Sequence, residues 1–246
     1  VNSQVKKHEI SINQVKEDVE FLTSDALQGR YTGTKGIESA ARYIENIFIK
    51  NNIKPYFETY RDSFNVKDIV GYNVVGLIEG NDPKLKNEFV IIGAHYDHIG
   101  FKTKVDNDSI ATGANDNAAG TSAVLALAEY LAKEKMNRRS IIIALFSGEE
   151  MGLLGSKHLA EKLKDKNLNL YTMLNFEMIG VPFKDRDYEA FVTGYDMTNM
   201  AQVMNAYIGS NYIGRSEVAI KYNLFKQSDN YAFYEIFKVP CQTVSS

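Results

Sequence analysis

Three apolar segments of this chain each run into residues able to bind a metal ion or move a proton. FVIIGA (89–94) leads to His95, Tyr96, Asp97 and His98. SIIIALF (140–146) leads to Ser147, Gly148, Glu149 and Glu150, and LYTMLNF (170–176) leads to Glu177. Between the first two, GANDNAAG (113–120) places Asp116 just ahead of a helical pattern. In an open α/β sheet, ligands bind beyond the carboxyl ends of the strands. Strands with these ends would therefore aim His, Asp and Glu side chains at one rim. Acids with one or two imidazoles are the ligand mix of a Zn²⁺ or of a pair of metal ions.

Each residue also has a plainer role. His95 and Asp97 could be a loop imidazole and a surface acid, or Asp97 could hold the far ring nitrogen of His95 and fix its tautomer, as carboxylates behind metal ligands do. Glu149 and Glu150 could place charge in the first turn of a helix, where the dipole favours it. Alternatively the two divide the labour, one binding metal and its divergent neighbour facing an attacking water. Asp116 could be an N-cap residue. Glu177 is harder to dismiss, because a carboxylate directly after a buried strand needs a partner. Singly these signals are weak; their coincidence at three strand ends and a helix start is the strong observation.

Other chemistries fit less well. The chain has no G-x-S-x-G elbow for a nucleophilic serine. Its single cysteine, Cys241, sits in the apolar stretch KVPCQTV and reads as a buried structural thiol. His158, among Leu154, Leu159 and Leu163, and His8, in the leading segment, read as packing or surface residues. Gly29-Arg30 and Gly33 lack the strand–turn–helix context of a phosphate loop.

The elements that must position the acids follow from periodicity. Amphipathic helices are expected over 11–23, with Ser11 or Asn13 as N-cap, and over 37–50, ended by Asn51-Asn52. Short strands are expected over 56–64 and 73–79. Then come strand 89–94, helix 118–133, strand 140–146, helix 151–163 and strand 170–176. A strand near 190–193, helices over 197–208 and 229–237, and a last strand over 239–245 complete the pattern. Apolar strands alternating with helices predict a single-domain, three-layer α/β/α sandwich around a mixed, mostly parallel sheet. Apolar residues make up 44% of the 246 and charged residues 24%, enough for a sizeable core. With 28 Lys+Arg against 31 Asp+Glu, the net charge of −3 lacks the basic footprint of a nucleic-acid binder. No apolar run approaches the ~20 residues of a membrane-spanning helix.

The motifs GAHYDHIG (93–100), GANDNAAG (113–120), FSGEEMGLLGS (146–156) and NFEMIG (175–180) resemble, in order and spacing, those of the M28 zinc peptidases, a family of bacterial aminopeptidases and the related glutaminyl cyclases. Weaker echoes are LQGRYTGTKG, NVVGLIEG (73–80) and QSDNYAFY (227–234), so the likeness runs from about residue 20 to the end. The resemblance implies two zinc ions: His95 and Glu177 on one, Glu150 on the other, and Asp116 bridging. It implies Glu149 as general base and a peptide with a free N-terminus as substrate; Asp97, read above as the carboxylate behind His95, is counted with Glu149 among the catalytic residues. It also implies an exported protein, whether periplasmic, lipid-anchored or secreted. Three departures stand out. Glu177 occupies a position that is often Asp, Asn230 follows Ser228-Asp229 where relatives often have His, and no histidine follows His158 although the family has a final histidine ligand after the last core strand. The expectation is that the native protein continues past Ser246 and supplies that histidine, so that the second zinc site is incomplete in this chain. The function expected is a metal-dependent aminopeptidase using a metal-activated water. The alternatives are a glutaminyl cyclase-like acyl transferase and a degenerate, non-catalytic peptide binder.

Overall fold

Every residue of the segment Ser140–Phe146 is buried. Because successive strand side chains point to opposite faces, Ile141, Ile143 and Leu145 enter one core while Ile142, Ala144 and Phe146 enter another. A strand covered on both faces reads as an unbroken apolar run, which is why no polar alternation marks it in the sequence.

The computed structural model describes residues 9–105, 108–182, 184 and 186–246; His8 lies outside the described residues. The chain opens with α1 (Ile12–Leu22), α2 (Lys35–Lys50), β1 (Lys54–Pro55), β2 (Arg61–Val66) and β3 (Ile69–Ile78). Then come β4 (Phe89–His95), β5 (Phe101–Val105), β6 (Asp108–Ile110), α3 (Ala119–Glu134), β7 (Ser140–Phe146), α4 (Leu154–Asp165) and β8 (Leu170–Phe176). The last part holds β9 (Ala190–Val192), α5 (Met200–Ile208), β10 (Ile213–Gly214), α6 (Glu217–Lys221), α7 (Asn230–Phe237) and β11 (Cys241–Ser245).

One mixed sheet joins β1-β3-β7-β4-β8-β11-β9-β10 in spatial order, with β2 paired to β3. Its centre, β7-β4-β8-β11, is parallel, and β3 and β9 run antiparallel against that block. The apolar stripe of α2 (Ile37, Ala40, Ala41, Ile44, Ile47, Phe48) packs with Leu22 of α1 and Val124, Leu125 and Ala128 of α3 on one face of the sheet. Leu159, Ala160 and Leu163 of α4 and Ala232 and Phe233 of α7 cover the other. The result is the α/β/α sandwich expected. Adjacent strands β4 and β7 lead to helices on opposite faces, so their carboxyl ends flank a crevice of the kind where ligands bind.

The boundaries differ where local chemistry intervenes. Helix α4 starts at Leu154 rather than 151, because Gly148 (φ +69) and Leu153 (φ +62) turn the chain first. Glu149 and Glu150 therefore lie in a turn, not in a helix's first turn, and the dipole account of them does not apply. Asp116 is not an N-cap either; Ala118 holds that position in α3 and makes no side-chain cap. Ser11 does cap α1, accepting from the Gln14 N–H at 3.3 Å. The strand expected over 56–64 forms later, at β2, and the β5–β6 hairpin had no clear period-2 signal. Pro240 precedes β11, which begins at Cys241 instead of 239.

Candidate metal centre

The register of the central strands builds the site. Gly93 pairs with Asn175 and His95 with Phe146, so His95, Glu177 and the 147–150 turn come level at one rim. His95 is fully buried. Its carbonyl accepts from Thr121 Oγ1 of α3 at 2.8 Å. Its Nδ1 lies 3.2 Å from the Asp97 carbonyl and 3.6 Å from the Asp97 carboxylate, so the backbone of Asp97 is the nearer partner. On the other side of the ring, Nε2 makes no hydrogen bond and faces Asp116 Oδ1 at 3.1 Å. One ligand atom each from His95, Asp116 and Glu177 falls within 4.8 Å of the others. Zinc bonds of about 2.0–2.2 Å put tetrahedral neighbours about 3.3–3.5 Å apart, close to the His95–Asp116 separation. A buried nitrogen that lies 3.1 Å from one carboxylate without hydrogen-bonding geometry, with a second carboxylate in the same group, fits a zinc ligand set with an open fourth position.

A second group shares Asp116: His98, Asp116 and Glu150 also offer atoms within 4.8 Å of one another. His98 Nδ1 is 2.7 Å from Glu150 Oε1. Glu149 belongs to neither group. The Glu149 N–H donates to Asp97 Oδ1 at 3.3 Å, and Thr32 Oγ1 donates to Asp97 Oδ2 at 3.2 Å while accepting from the Gly148 N–H at 2.9 Å. The Asp97 carboxylate thus anchors the turn that carries both glutamates.

Several positioning residues escaped the sequence reading. Arg30, 1% exposed, donates to the carbonyls of Tyr96 (2.9 Å), Thr112 (2.8 Å) and Gly113 (3.1 Å), and to that of Leu22, tying the His95 and Asp116 loops together. Asn117 donates to Phe176 O at 2.9 Å and accepts from the N–H groups of Gly120 (3.1 Å) and Met178 (3.2 Å), gripping the backbone on both sides of Glu177. Ser228 donates to Glu177 Oε2, supplying the partner that a carboxylate at a strand end requires. Asp229 is buried with both carboxylate oxygens free of hydrogen bonds. The available signals were the glycines around Arg30 and Asn117 and the Ser228-Asp229 pair, none of which specifies a partner by spacing. Asn230 points elsewhere, bonding Thr243 Oγ1 (2.7 Å) and the carbonyls of Phe225 and Cys241 (3.2 Å each). His158 lies by Asp62 (3.3 Å) and Phe64, and the buried Cys241 thiol is pushed up to about 12 by burial, both as read from the sequence.

Gly113 is tightly confined within the site. Its φ is +61°, and a Cβ there would meet Asp116 O at 2.5 Å, Arg30 Nη2 at 2.7 Å and His98 Cδ2 at 2.7 Å. Backbone strain of this kind costs about 1–3 kcal/mol. Gly113→Ala is expected to lower the urea midpoint accordingly and to weaken metal retention; a variant with wild-type midpoint and metal content would show that the loop adapts freely.

The electrostatics show a surplus of negative charge. Burial opposes a charge on His95, but the carboxylates of Asp116 and Asp97, then Glu177 and Glu149, outweigh it and hold the imidazole well above its usual value. Glu149 is pushed up to about 9, chiefly by burial; His95 pulls it down, and Asp229, Glu177 and Asp97 push it up further. Burial likewise raises Asp229 to about 7 and raises Glu177. On Asp116, burial is outweighed by His95, His98 and Arg30, which bring it below the usual carboxylate range. Glu149 and Asp229 hold protons more tightly folded than unfolded, so their contribution to stability is complete below the unfolded values of 4.5 and 3.8 and is lost as pH rises through 7 and 9. The metal-free protein is therefore expected to lose denaturant midpoint between pH 4.5 and pH 9. Glu149→Gln, which keeps the neutral shape, is expected to recover part of that loss. A midpoint that is flat or rises over the interval would contradict this charge distribution.

The model of peptidase family M28 matches residues 73–244, more than half of the chain and all of the ligand groups described above. The chain belongs to peptidase family M28. A probable zinc metalloprotease from Pyrenophora teres f. teres is 38% identical to this M28 chain over 179 residues, 68% of this chain and 36% of that protein. Among solved structures, the LapA aminopeptidase of Legionella pneumophila superposes with a TM-score of 0.72 at 21% identity, covering 96% of this chain and 61% of that one. The glutaminyl cyclase of Porphyromonas gingivalis superposes with a TM-score of 0.73 at 14% identity, covering 96% and 84%. At those identities the structural likeness speaks for the fold, which is the one the motifs implied. The M28 chain spans about a quarter to about a third of the first curated relatives it matches.

Proposed function

We propose that this M28 chain is a zinc-dependent aminopeptidase, a hydrolase that removes N-terminal residues from peptides. The observation that carries the reading is the buried, unbonded Nε2 of His95 facing Asp116, with Glu177 in the same group and the unligated Glu149 beside them. His95, Asp116 and Glu177 would hold one zinc, and Glu150 with Asp116 would serve a second. When bound, zinc supplies a Lewis acid for the scissile carbonyl and acidifies water. Glu149, kept out of both ligand groups while Glu150 is paired to His98, takes a proton from the attacking water and passes it to the leaving amine, a contribution of ~10²–10⁴ in rate. Asp97 is a positioning residue: its carbonyl fixes the His95 ring and its carboxylate fixes the Glu149 backbone. Half-buried carboxylates at the rim favour an α-ammonium group, which selects substrates with free N-termini.

We further propose one peptidase domain over 1–246 and an exported protein, both supported by the resemblance to M28 enzymes. Among the described residues no helix is long and apolar enough to cross a membrane. The test is a mass-spectrometric assay of zinc-loaded protein on one peptide in three forms: free N-terminus, N-acetylated, and N-terminal glutamine. Sequential loss of residues from the free form alone is expected. Cleavage of the acetylated form within the chain would overturn the exopeptidase reading, and loss of ammonia to give pyroglutamate from the third would move the reaction to acyl transfer.

A further inference from the structure

The buried carboxylate of Asp62 takes no part in the proposed chemistry, yet a chain of hydrogen bonds links it to the turn that carries Glu149. Asp62 and Asn73 are cross-strand partners in the β2–β3 ladder, and both are fully buried. Asn73 Nδ2 donates to Asp62 Oδ2 at 3.0 Å and to the Gly155 carbonyl at 2.9 Å, while Asn73 Oδ1 accepts from the Ser147 N–H at 3.3 Å. Ser147 directly follows β7 and Gly155 lies in the first turn of α4, so they are the two feet of the Glu149 turn. The Gly155 N–H closes those feet on each other, donating to the Ser147 carbonyl at 3.1 Å. One side-chain amide thus brackets both. Gly155 permits the approach, since a Cβ there would run into Ser147 O and Asn73 Oδ1. The neighbouring Tyr72 N–H adds a bond to Ser147 Oγ at 3.1 Å.

The carboxylate gives this bracket its orientation. A side-chain amide that turns over exchanges its oxygen for its NH₂, which would set a donor against the Ser147 N–H. A carboxylate only accepts, so Asp62 holds the NH₂ toward itself and Gly155 and leaves the oxygen for Ser147. A buried charge is costly unless it is paired and hydrogen-bonded. Lys162 Nζ donates to Asp62 Oδ1 at 2.7 Å, and His158 Nε2 lies 3.3 Å from the same oxygen. We infer that Asp62 and Asn73 are positioning residues for the Glu149 base: Asn73 holds both feet of its turn, and Asp62 holds Asn73. The inference rests on the proposed reading of Glu149 as the base. A bracket that served stability alone would show the same bonds. The two differ in whether folded, zinc-saturated protein turns over more slowly without it.

The experiment measures steady-state kinetics and bound zinc on a free-N-terminus peptide at saturating zinc, well below each variant's melting temperature. The proteins are wild type, Asn73→Ala, Asp62→Asn, Glu149→Gln and the double variant Asn73→Ala/Glu149→Gln. Ile44→Val, in the α2 core, is the control for lost stability. Amide hydrogen exchange of the metal-free proteins over 147–155 reports the turn independently of turnover. Asn73→Ala is expected to lower kcat by ~10–100-fold, up to the loss that a 1 Å misplacement causes, with KM and bound zinc near wild type. Asp62→Asn is expected to lower kcat by less, because its amide meets Asn73 Nδ2 with an oxygen only by turning its own NH₂ toward Lys162. In the Glu149→Gln background, Asn73→Ala is expected to lower kcat no further, since it acts through the group already removed. Exchange over 147–155 is expected to quicken in both variants while β4 keeps its wild-type rates, and Ile44→Val is expected to melt earlier with unchanged kcat. Wild-type kcat in folded Asn73→Ala, full additivity with Glu149→Gln, or a kcat loss matched by an equal loss of zinc would overturn the inference and leave the aminopeptidase reading intact. If Asn73→Ala does not fold, unchanged kcat and exchange in Asp62→Asn would overturn it. Near-normal turnover in Glu149→Gln would overturn the reading of the base and the inference with it.

Discussion

Glu149→Gln is expected to reduce peptide hydrolysis by ~10²–10⁴, the contribution of a positioned general base, while zinc content and thermal stability of the loaded protein stay near wild type. The reason lies in the division between neighbours: Glu150 sits with His98 and Asp116, and Glu149 sits with neither ligand group. Only the proton-transfer step is removed, so the loss should fall on kcat and on kcat/KM alike. Steady-state kinetics with metal analysis on the same sample checks it. Near-normal turnover, or loss of zinc from the variant, would show that the roles of the two glutamates are reversed.

Asp116→Ala is expected to cost more zinc than the loss of any other single ligand, because Asp116 is the member common to both groups. Removing it takes a carboxylate from each ion and leaves the two cations without the anion between them. It also removes the group facing the orphaned His95 Nε2. Dialysed Asp116→Ala is expected to retain little zinc, whereas Glu177→Ala and Glu150→Ala each keep about one ion, with hydrolysis falling at least ~10–100-fold. Metal retention equal to wild type would remove Asp116 from the shared position.

The parts of this molecule legible in the sequence are those whose surroundings are uniform. Strands β7 and β8 span the residues read for them, 140–146 and 170–176; in β7 two-sided burial demands an unbroken apolar run, whereas β8 is buried only in part and exposes Tyr171. The ends of β4, β7 and β8 carry His95, Glu149, Glu150 and Glu177, and so the rim could be drawn before the fold was known. What stayed hidden depends on contacts between distant segments. Arg30 reaches Tyr96, Thr112 and Gly113 across more than sixty residues, and its own neighbourhood contains nothing that names those partners. Asn117 is similar, since its grip on Phe176 and Met178 exists only once α3 packs against β8. His98 stood in view as the second histidine of GAHYDHIG, but its role turns on where the Glu150 turn falls. That turn is set by Gly148 and Leu153, positive-φ positions that a helical pattern over 151–163 concealed.

The most direct test of the account is a zinc titration of chelator-stripped protein on a free-N-terminus peptide, with released residues and bound zinc measured on the same samples. No hydrolysis is expected without zinc, with recovery in step with zinc occupancy and no recovery in Asp116→Ala at the same added concentration. Hydrolysis that survives complete removal of the metal, or zinc bound with full stoichiometry by protein that releases no residue from any peptide, would contradict it.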